Sequence, residues 1–563
     1  MIRHTEIVLQ LPSYLAEYEA KLRHKIEDDI LMYDILALAK DVVLFYFHEG
    51  NQTAGAPNIF YDNNVPDGFF TSGTILAHAS CQYDNAQAVH PRIYIAIPFS
   101  EKEDVPSVSR VPRRTKLPGF KKYVGLAGDK LNQRELFEKF GNKIHDKYGE
   151  QDIFEDLIAV EEKRQHVIDD YIANRKDDHQ HTQIFYNGLV IKNFSVKQVS
   201  EGEKTAVFAL HWLDYGGAEK FAIEAMNKAK EMGYKVYCIV DKRGNKAYES
   251  KVREIAESIF YIADSLPEEH WSKFYINLFP YLGAHLLHIH HSISAYQNLP
   301  KIKALTTWPR VIDSTHIVEH QDGGYPRVSG VFSPYVDFHH TISKELNTYL
   351  SGDLNVPKNK IKLGYLINRS DMVDVESLSK TPEFAEKETF NILFIGRFVS
   401  QKRPYLFIEL VKTLRENKNK NIQFTMVGSG PMESMCKNLI NNYGLNAAIN
   451  LLPPDSDVEG LLVENDLLVI SSENEGLTLV AYEAVRNNCL ALSCDVGAQR
   501  EVVADSLIVS RHPRPFITDA TSKINKLIND KNFASQCLME QANKYSELQK
   551  RGWEDVLEDL YQF

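Results

Sequence analysis

The sequence predicts an α/β protein: two consecutive, doubly wound parallel-sheet domains of the Rossmann-like kind, preceded by an α+β region. Three observations predict this. From Lys204 onward, short apolar runs alternate with helical patterns, as in KTAVFAL, then FAIEAMNKAKEMG, then KVYCIVD. Uninterrupted apolar runs are what a strand covered on both faces requires. The same alternation restarts at NILFIGRF, beyond the charged, hinge-like stretch SLSKTPEFAEKET, so the unit occurs twice. The first 195 residues have a different grammar: long charged helical patterns flank a strand-rich middle in which PRIYIAIPF is the clearest strand.

Taken in order, LAEYEAKLRHKIEDDILMYDILALAK and ELFEKFGNKIHDKYGEQDIFEDLIAVEEKRQHVIDDYI are the two helical patterns of the accessory region, and NRKDDHQH is a polar connection. The first parallel run continues through HLLHIHH, RVIDSTH and HHTISKELNTYL to IKLGYLINRSD. The second runs through PYLFIELVKTLREN, IQFTMVGSG, INLLPP, DLLVISS and CLALSC to helices ending WEDVLEDLYQF. The chain therefore divides into 1–195, an accessory domain; 203–375 and 388–545, the two parallel-sheet domains; and 546–563, a C-terminal helix. Ligands of such sheets sit beyond the carboxyl ends of the strands. Two of them face to face would put both loop sets on one cleft.

Composition narrows the function. With 44% hydrophobic and 25% charged residues among 563, this is an ordinary globular chain, too long for one core. A net charge of -12 argues against a nucleic-acid partner. One basic segment stands apart, Arg110, Arg113, Arg114, Lys116, Lys121 and Lys122; it reads equally as a solvated loop or as a peripheral contact with anionic lipid or acceptor. No run reaches the roughly 18 apolar residues that a spanning helix needs, and the N-terminus carries no signal-peptide pattern. Cys81, Cys238, Cys436, Cys489, Cys494 and Cys537 have no metal-ligand spacing; they read as free thiols of a reducing, cytoplasmic compartment.

The chemistry concentrates in a few loops. Glu475 and Glu483 lie eight positions apart, the first in a loop after DLLVISS and the second in the following helix. Eight helical residues span about 12 Å, too far to share a proton but suited to gripping two ends of an extended ligand. In GRFVSQK, Arg397 and Lys402 leave a parallel strand where two cations can meet a diphosphate. Gly428 and Gly430 in VGSGP fit a close approach to a base and a tight turn equally. Gly216 and Gly217, at a strand-to-helix turn, would let phosphate or acceptor reach helix amides.

These motifs, in this order, resemble glycosyltransferase family 4, whose retaining enzymes have the GT-B fold and an E-x7-E motif. The resemblance covers about residues 203–563. It implies that Glu475 meets the donor sugar hydroxyls, that Glu483 holds the nucleotide ribose, and that Gly476, Leu477 and Thr478 border the donor between them. Arg397 and Lys402 would offset the leaving-group charge in place of a metal, so no cofactor is expected. The glycine pair at Gly428 and Gly430 falls where the family has a nucleotide-side turn, and Gly497 to Glu501 matches its donor-side loop. His290, in LLHIHH, matches the histidine that reaches the donor sugar. Two departures stand out: Arg369 replaces a glycine in Ile367-Asn368-Arg369-Ser370-Asp371, and Asn487-Asn488 replaces a helix-ending glycine.

The implied reaction is retaining transfer from a nucleotide diphosphate sugar, a UDP-sugar by preference, to a glycan or lipid-linked glycan of bacterial surface polysaccharide assembly. A non-catalytic glycan- or nucleotide-binding protein on the same scaffold is the alternative. An NAD enzyme is disfavoured because no GxGxxG opens either run, and the lysine of a pyridoxal-dependent phosphorylase cannot be placed. Asp455-Ser456-Asp457 mimics a metal-binding DxD, but it precedes VEGLLVEN, where Asp457 is expected as a helix N-cap.

Overall fold

The computed structural model describes the backbone of residues 2–9, 19–36, 39–48, 58–61, 75–83 and 90–99, five positions between 161 and 169, and most of 203–562. The basic segment 110–122, the connection after Asn174 and nearly all of the charged stretch before Thr389 lie outside the described residues.

Three sheets organise the described residues. The accessory region holds β1 (Ile2–Leu9), β2 (Ala39–His48), β3 (Asn58–Tyr61), β4 (Ile75–Tyr83) and β5 (His90–Phe99), in the order β1-β4-β2-β5-β3. Only the β2–β5 pair is parallel among these neighbours. PRIYIAIPF is a strand as expected. The first helix, Glu19–Leu36, is shorter than its pattern: Ala39 and Lys40 already belong to β2, because the β-branched and aromatic run that follows them pairs on both sides.

The second sheet is β6 (Thr205–Leu210), β7 (Lys235–Val240), β8 (Ser258–Tyr261), β9 (Leu286–His290), β10 (Arg310–Thr315), β11 (Phe338–Thr341) and β12 (Ile361–Leu363). Its order is β12-β11-β10-β9-β6-β7-β8, all parallel. Alternate residues of its strands feed two cores. One face, with Val207, Ala209, Leu287 and Ile289, packs with Leu22, Ile26, Tyr33 and Leu36 of the accessory helix. The other, with Ala206, Phe208, Leu286 and Ile312, packs with the helix Gly217–Glu231 and with Trp553, Leu557, Leu560 and Tyr561 from the end of the chain. An accessory helix and a terminal helix thus complete the two layers that a parallel sheet must have.

The third sheet is β13 (Thr389–Ile395), β14 (Asn421–Val427), β15 (Ile449–Leu452), β16 (Leu467–Ile470), β17 (Leu490–Cys494) and β18 (Ile508–Val509). Its order, β15-β14-β13-β16-β17-β18, is all parallel and that of a Rossmann half repeated on both sides of the first strand. The helix Lys531–Gln549 runs straight through residue 546. The chain then crosses back at Gly552, and the helix Trp553–Tyr561 lies on the first parallel-sheet domain. Among the described residues no helix is long and apolar enough to cross a membrane, and the five described cysteines are free and buried.

Candidate active site

The loop after β13 carries the cations. Lys402 forms an ion pair with Glu475, whose side chain is 8% exposed. Around them, the Gln401 side chain donates to the Asn474 carbonyl at 2.8 Å, and the Glu473 amide donates to the Gln401 carbonyl at 2.8 Å. Arg397 is exposed, and no hydrogen bond or ion pair engages its guanidinium among the described residues. Its field reaches Glu219 of the other domain.

Gly428 and Gly430 hold this loop in place. Both have left-handed φ, 141° and 152°. A methyl at 428 would land on the Gly396 carbonyl oxygen, and one at 430 would stand 2.7 Å from that of Phe398. The Phe398 amide donates to the Ser429 carbonyl at 2.8 Å, and the Met432 amide to the Phe398 carbonyl at 2.9 Å. The turn therefore lies backbone on backbone against the Arg397 loop, which only glycine permits.

Between the two glutamates the geometry differs from the helical estimate. The helix starts at Leu479, with extended Thr478 before it, so Glu483 stands little more than one turn inside and Glu475 to Thr478 are not helical. Thr478 donates to Gln499 Oε1 at 2.9 Å, and Gln499 Nε2 of the same side chain donates to the Gly476 carbonyl at 3.1 Å. Leu477 is buried in the domain's core. Gly476 meets the first domain: a methyl there would land on the His316 carbonyl oxygen. The Asn474 side chain donates to the Val318 carbonyl at 3.1 Å, across the same seam. Glu483 lines a cavity of about 240 Å³ with Lys220, Asn368, Asp371 and Arg486, between the two domains and their connection.

On the first domain the loop after β6 brings His211 and Trp212 against Glu219 in the first turn of the helix Gly217–Glu231. Trp212 donates to Glu219 Oε1 at 2.9 Å, and His211 Nε2 stands 3.3 Å from the same oxygen. Burial, with Lys242 adding to it, pushes His211 down to about 3, and burial raises Glu219 against the pull of Arg397. Their contact is therefore that of a neutral imidazole with a carboxyl group, and the apparent ion pair is not one. Gly216 is extended, and a methyl there would collide with the Glu219 carboxylate folded over the helix start. Gly217 faces Leu479 of the second domain, with room for a methyl 3.5 Å from Cδ1.

His290 is fully buried, and neither ring nitrogen has a hydrogen-bond partner. Burial, then the neighbouring His288 and His316, hold it far below the usual histidine value, so the ring is neutral. His288, by contrast, is a structural residue bonded to the Tyr561 hydroxyl at 2.6 Å and to Ser314 at 2.9 Å.

Other expected positions are engaged elsewhere. The Glu501 carboxylate accepts the Lys344 amide at 2.9 Å and the Tyr365 hydroxyl at 2.7 Å, so it latches onto the first domain. Arg369 has ordinary backbone in a short 3-10 turn and pairs with Asp555 and Glu558 of the terminal helix. Asn488 takes φ 56° and supplies the left-handed helix end. Asp457 caps its helix, accepting the Gly460 amide at 3.1 Å. No cluster able to hold a metal occurs among the described residues. Sequence reasoning missed Glu219, one residue inside DYGGAEK, and Arg403, one residue beyond GRFVSQK; each was visible only as the neighbour of a motif.

Comparison with known proteins bears on this arrangement. Residues 376–547 match the family model of glycosyl transferases group 1. A capsular polysaccharide biosynthesis glycosyltransferase of Staphylococcus aureus is 27% identical over 119 residues, 21% of this chain and 34% of that protein. An α-1,4-N-acetyl-D-galactosaminyltransferase of Campylobacter jejuni, named for a diNAcBac-PP-undecaprenol glycan, is 24% identical over 156 residues, 27% of this chain and 42% of that one. The chain spans between about a third and a half of the length of such curated relatives. A solved glycosyltransferase from Rickettsia africae, 15% identical, superposes with a TM-score of 0.50 over 64% of this chain and 100% of its own. The fold is GT-B, and the segment that carries Arg397, Lys402, Glu475 and Glu483 matches the glycosyl transferases group 1.

Proposed function

We propose that the chain is a retaining glycosyltransferase of family 4 type, moving a sugar from a nucleotide diphosphate sugar to a glycan or lipid-linked glycan acceptor. The observation that carries this reading is the cluster at the cleft: Lys402 paired with Glu475, and an exposed guanidinium at Arg397 that forms no ion pair among the described residues, its field reaching Glu219. Two cations at the mouth of a cleft suit a diphosphate leaving group. Glu475, beside Lys402, suits the sugar hydroxyls, and Glu483 on its cavity suits a ribose. The neutral His290 offers a hydrogen bond to a sugar hydroxyl without a charge.

In this account the diphosphate departs under Arg397 and Lys402, the acceptor hydroxyl enters on the same face, and the departing phosphate takes its proton. Catalysis is positioning and charge stabilisation, and the two cations take the place of a metal. Our reading of the donor is a UDP-sugar. The names of the curated relatives, from capsule assembly to an undecaprenol-linked glycan, support a bacterial surface-polysaccharide acceptor. Such an acceptor would place the protein at the cytoplasmic face of a membrane, with residues 110–122 as its contact.

The test is nucleotide release from a panel of UDP-, GDP- and ADP-sugars. Release from one donor, lost in Glu475→Ala and Arg397→Ala, is the expected result. Binding of nucleotide with release that both variants retain contradicts the assignment of these residues. No release and no binding to any donor sinks the enzyme.

A further inference from the structure

Arg403 is not accounted for by transfer chemistry. It follows Lys402 directly, has left-handed backbone at φ 48°, and is fully buried. A side chain with a Cβ is strained there, and a buried guanidinium is costly unless its donors and its charge are both met. The donors are met within the domain. Nε donates to the Ser471 carbonyl at 2.7 Å, one terminal nitrogen to the Ser472 carbonyl at 2.9 Å, and the other to the Arg511 carbonyl at 2.6 Å. The charge is met from outside it: Glu161 Oε1 lies 3.7 Å from the guanidinium, and both side chains are 1% exposed or less.

Glu161 belongs to the accessory region. Gln165 donates to its carboxylate at 3.0 Å, and Asp169 pairs with Arg511 and with His512, the latter at 3.1 Å. Positions 161, 165 and 169 are four apart and share one helical face, so a single stripe meets Arg403, Arg511 and His512. On its other side Arg403 joins the two halves of the proposed donor site. Ser471 and Ser472 lead directly to Glu475, and the Ser471 hydroxyl donates back to the Lys402 and Arg403 carbonyls at 2.9 and 3.1 Å.

We propose that the helical stripe of Glu161, Gln165 and Asp169 braces the donor site. Glu161, acting through Arg403, positions Lys402 against Glu475, so the accessory region is an integral part of the transfer machinery. Glu161 and Arg403 are positioning residues; neither touches substrate. The activity arm of the test rests on the function proposed above, and its exchange arm does not.

The experiment compares full-length Glu161→Gln, Glu161→Asp, Arg403→Gly and the Glu161→Gln/Arg403→Gly pair, with Glu162→Gln at the rim as control. Turnover and donor KM are measured together with hydrogen exchange of residues 396–403 and 471–475. Glu161→Gln is expected to lower kcat about tenfold or more with little change in KM, because the loops are misplaced rather than removed. Exchange should quicken in both loops together. Glu161→Asp, which keeps the charge, should retain most activity. Glu161→Gln should add nothing further in the Arg403→Gly background, because Glu161 acts through Arg403; that comparison also carries the test if Glu161→Gln alone does not fold. Wild-type kcat and exchange in Glu161→Gln, or losses of the two single variants that add in the double, would overturn the brace. If the wild type releases nucleotide from no donor, the functional reading fails, and exchange alone decides: quickening in Glu161→Gln and not in Glu162→Gln supports the brace, and its absence overturns it.

Discussion

At the scale of single residues, two glycines, one in each parallel-sheet domain, separate clearance from contact. Gly428 has φ 141° and leaves no room for a methyl against the Gly396 carbonyl, whereas Gly217 has space at 3.5 Å from Leu479. Gly428→Ala should therefore cost about 2 kcal/mol or more, and Gly217→Ala should stay within about 1 kcal/mol because alanine suits a helix start better than glycine. Denaturant melts of the two variants check this; equal losses would mean that the turn relaxes freely. The sequence left open whether VGSGP approaches a base or makes a turn. That ambiguity had a physical origin, since each glycine leans on a carbonyl of the 396–398 loop, some thirty positions away, and no local pattern encodes that. Distance along the chain also hid Arg403, whose partners at Ser471, Arg511 and Glu161 lie on three other segments.

At the scale of elements, the accessory helix Glu19–Leu36 docks through a buried charge. Arg253 donates to Asp28 at 2.5 Å, Lys25 donates to Ser265 at 2.5 Å, and Tyr33 donates to the Ser265 carbonyl at 2.6 Å. Burial, opposed by Arg253, pushes Asp28 up from 3.8 to about 6. The folded chain thus holds a proton that the unfolded chain releases between those values. The resulting stabilisation is complete below the unfolded value and lost as pH rises through about 6. Asp28→Asn, which mimics the protonated group, should gain on the wild type by on the order of 1–3 kcal/mol between pH 4 and pH 7; parallel stability curves would contradict it. Strands marked by continuous apolar runs were legible: β6, β9, β13 and β16 stand where those runs placed them. The two residues of β18 are too few to show a period, and β8, SIFY, is bounded by a serine and a tyrosine where β16, of equal length, is LLVI.

At the scale of the molecule, contacts between domains set the cleft. Glu501 takes the first domain's amides and the Tyr365 hydroxyl, Gly476 lies against His316, and the last helix returns to cover the sheet of the first domain. The sequence announced both parallel sheets and the loops that meet, because strand-to-helix turns carry their own signatures. It could not announce Glu501 as a latch: the residue's position matches a donor-side loop, and only the packing of domains turns its carboxylate aside. The accessory region was legible as separate but not as a brace, since its contacts with Arg403 and Arg253 depend on tertiary docking.

On the reading proposed above, the cleft between these domains is a nucleotide diphosphate site built on Arg397 and Lys402. Titration calorimetry of the full-length protein with UDP, GDP and ADP, on the wild type and on Arg397→Ala, checks this without an acceptor. One nucleotide is expected to bind the wild type, and Arg397→Ala to weaken it by about tenfold or more, the loss of one charge-assisted contact to phosphate. Equal affinity in the two proteins, or no binding of any nucleotide to the wild type, would contradict it.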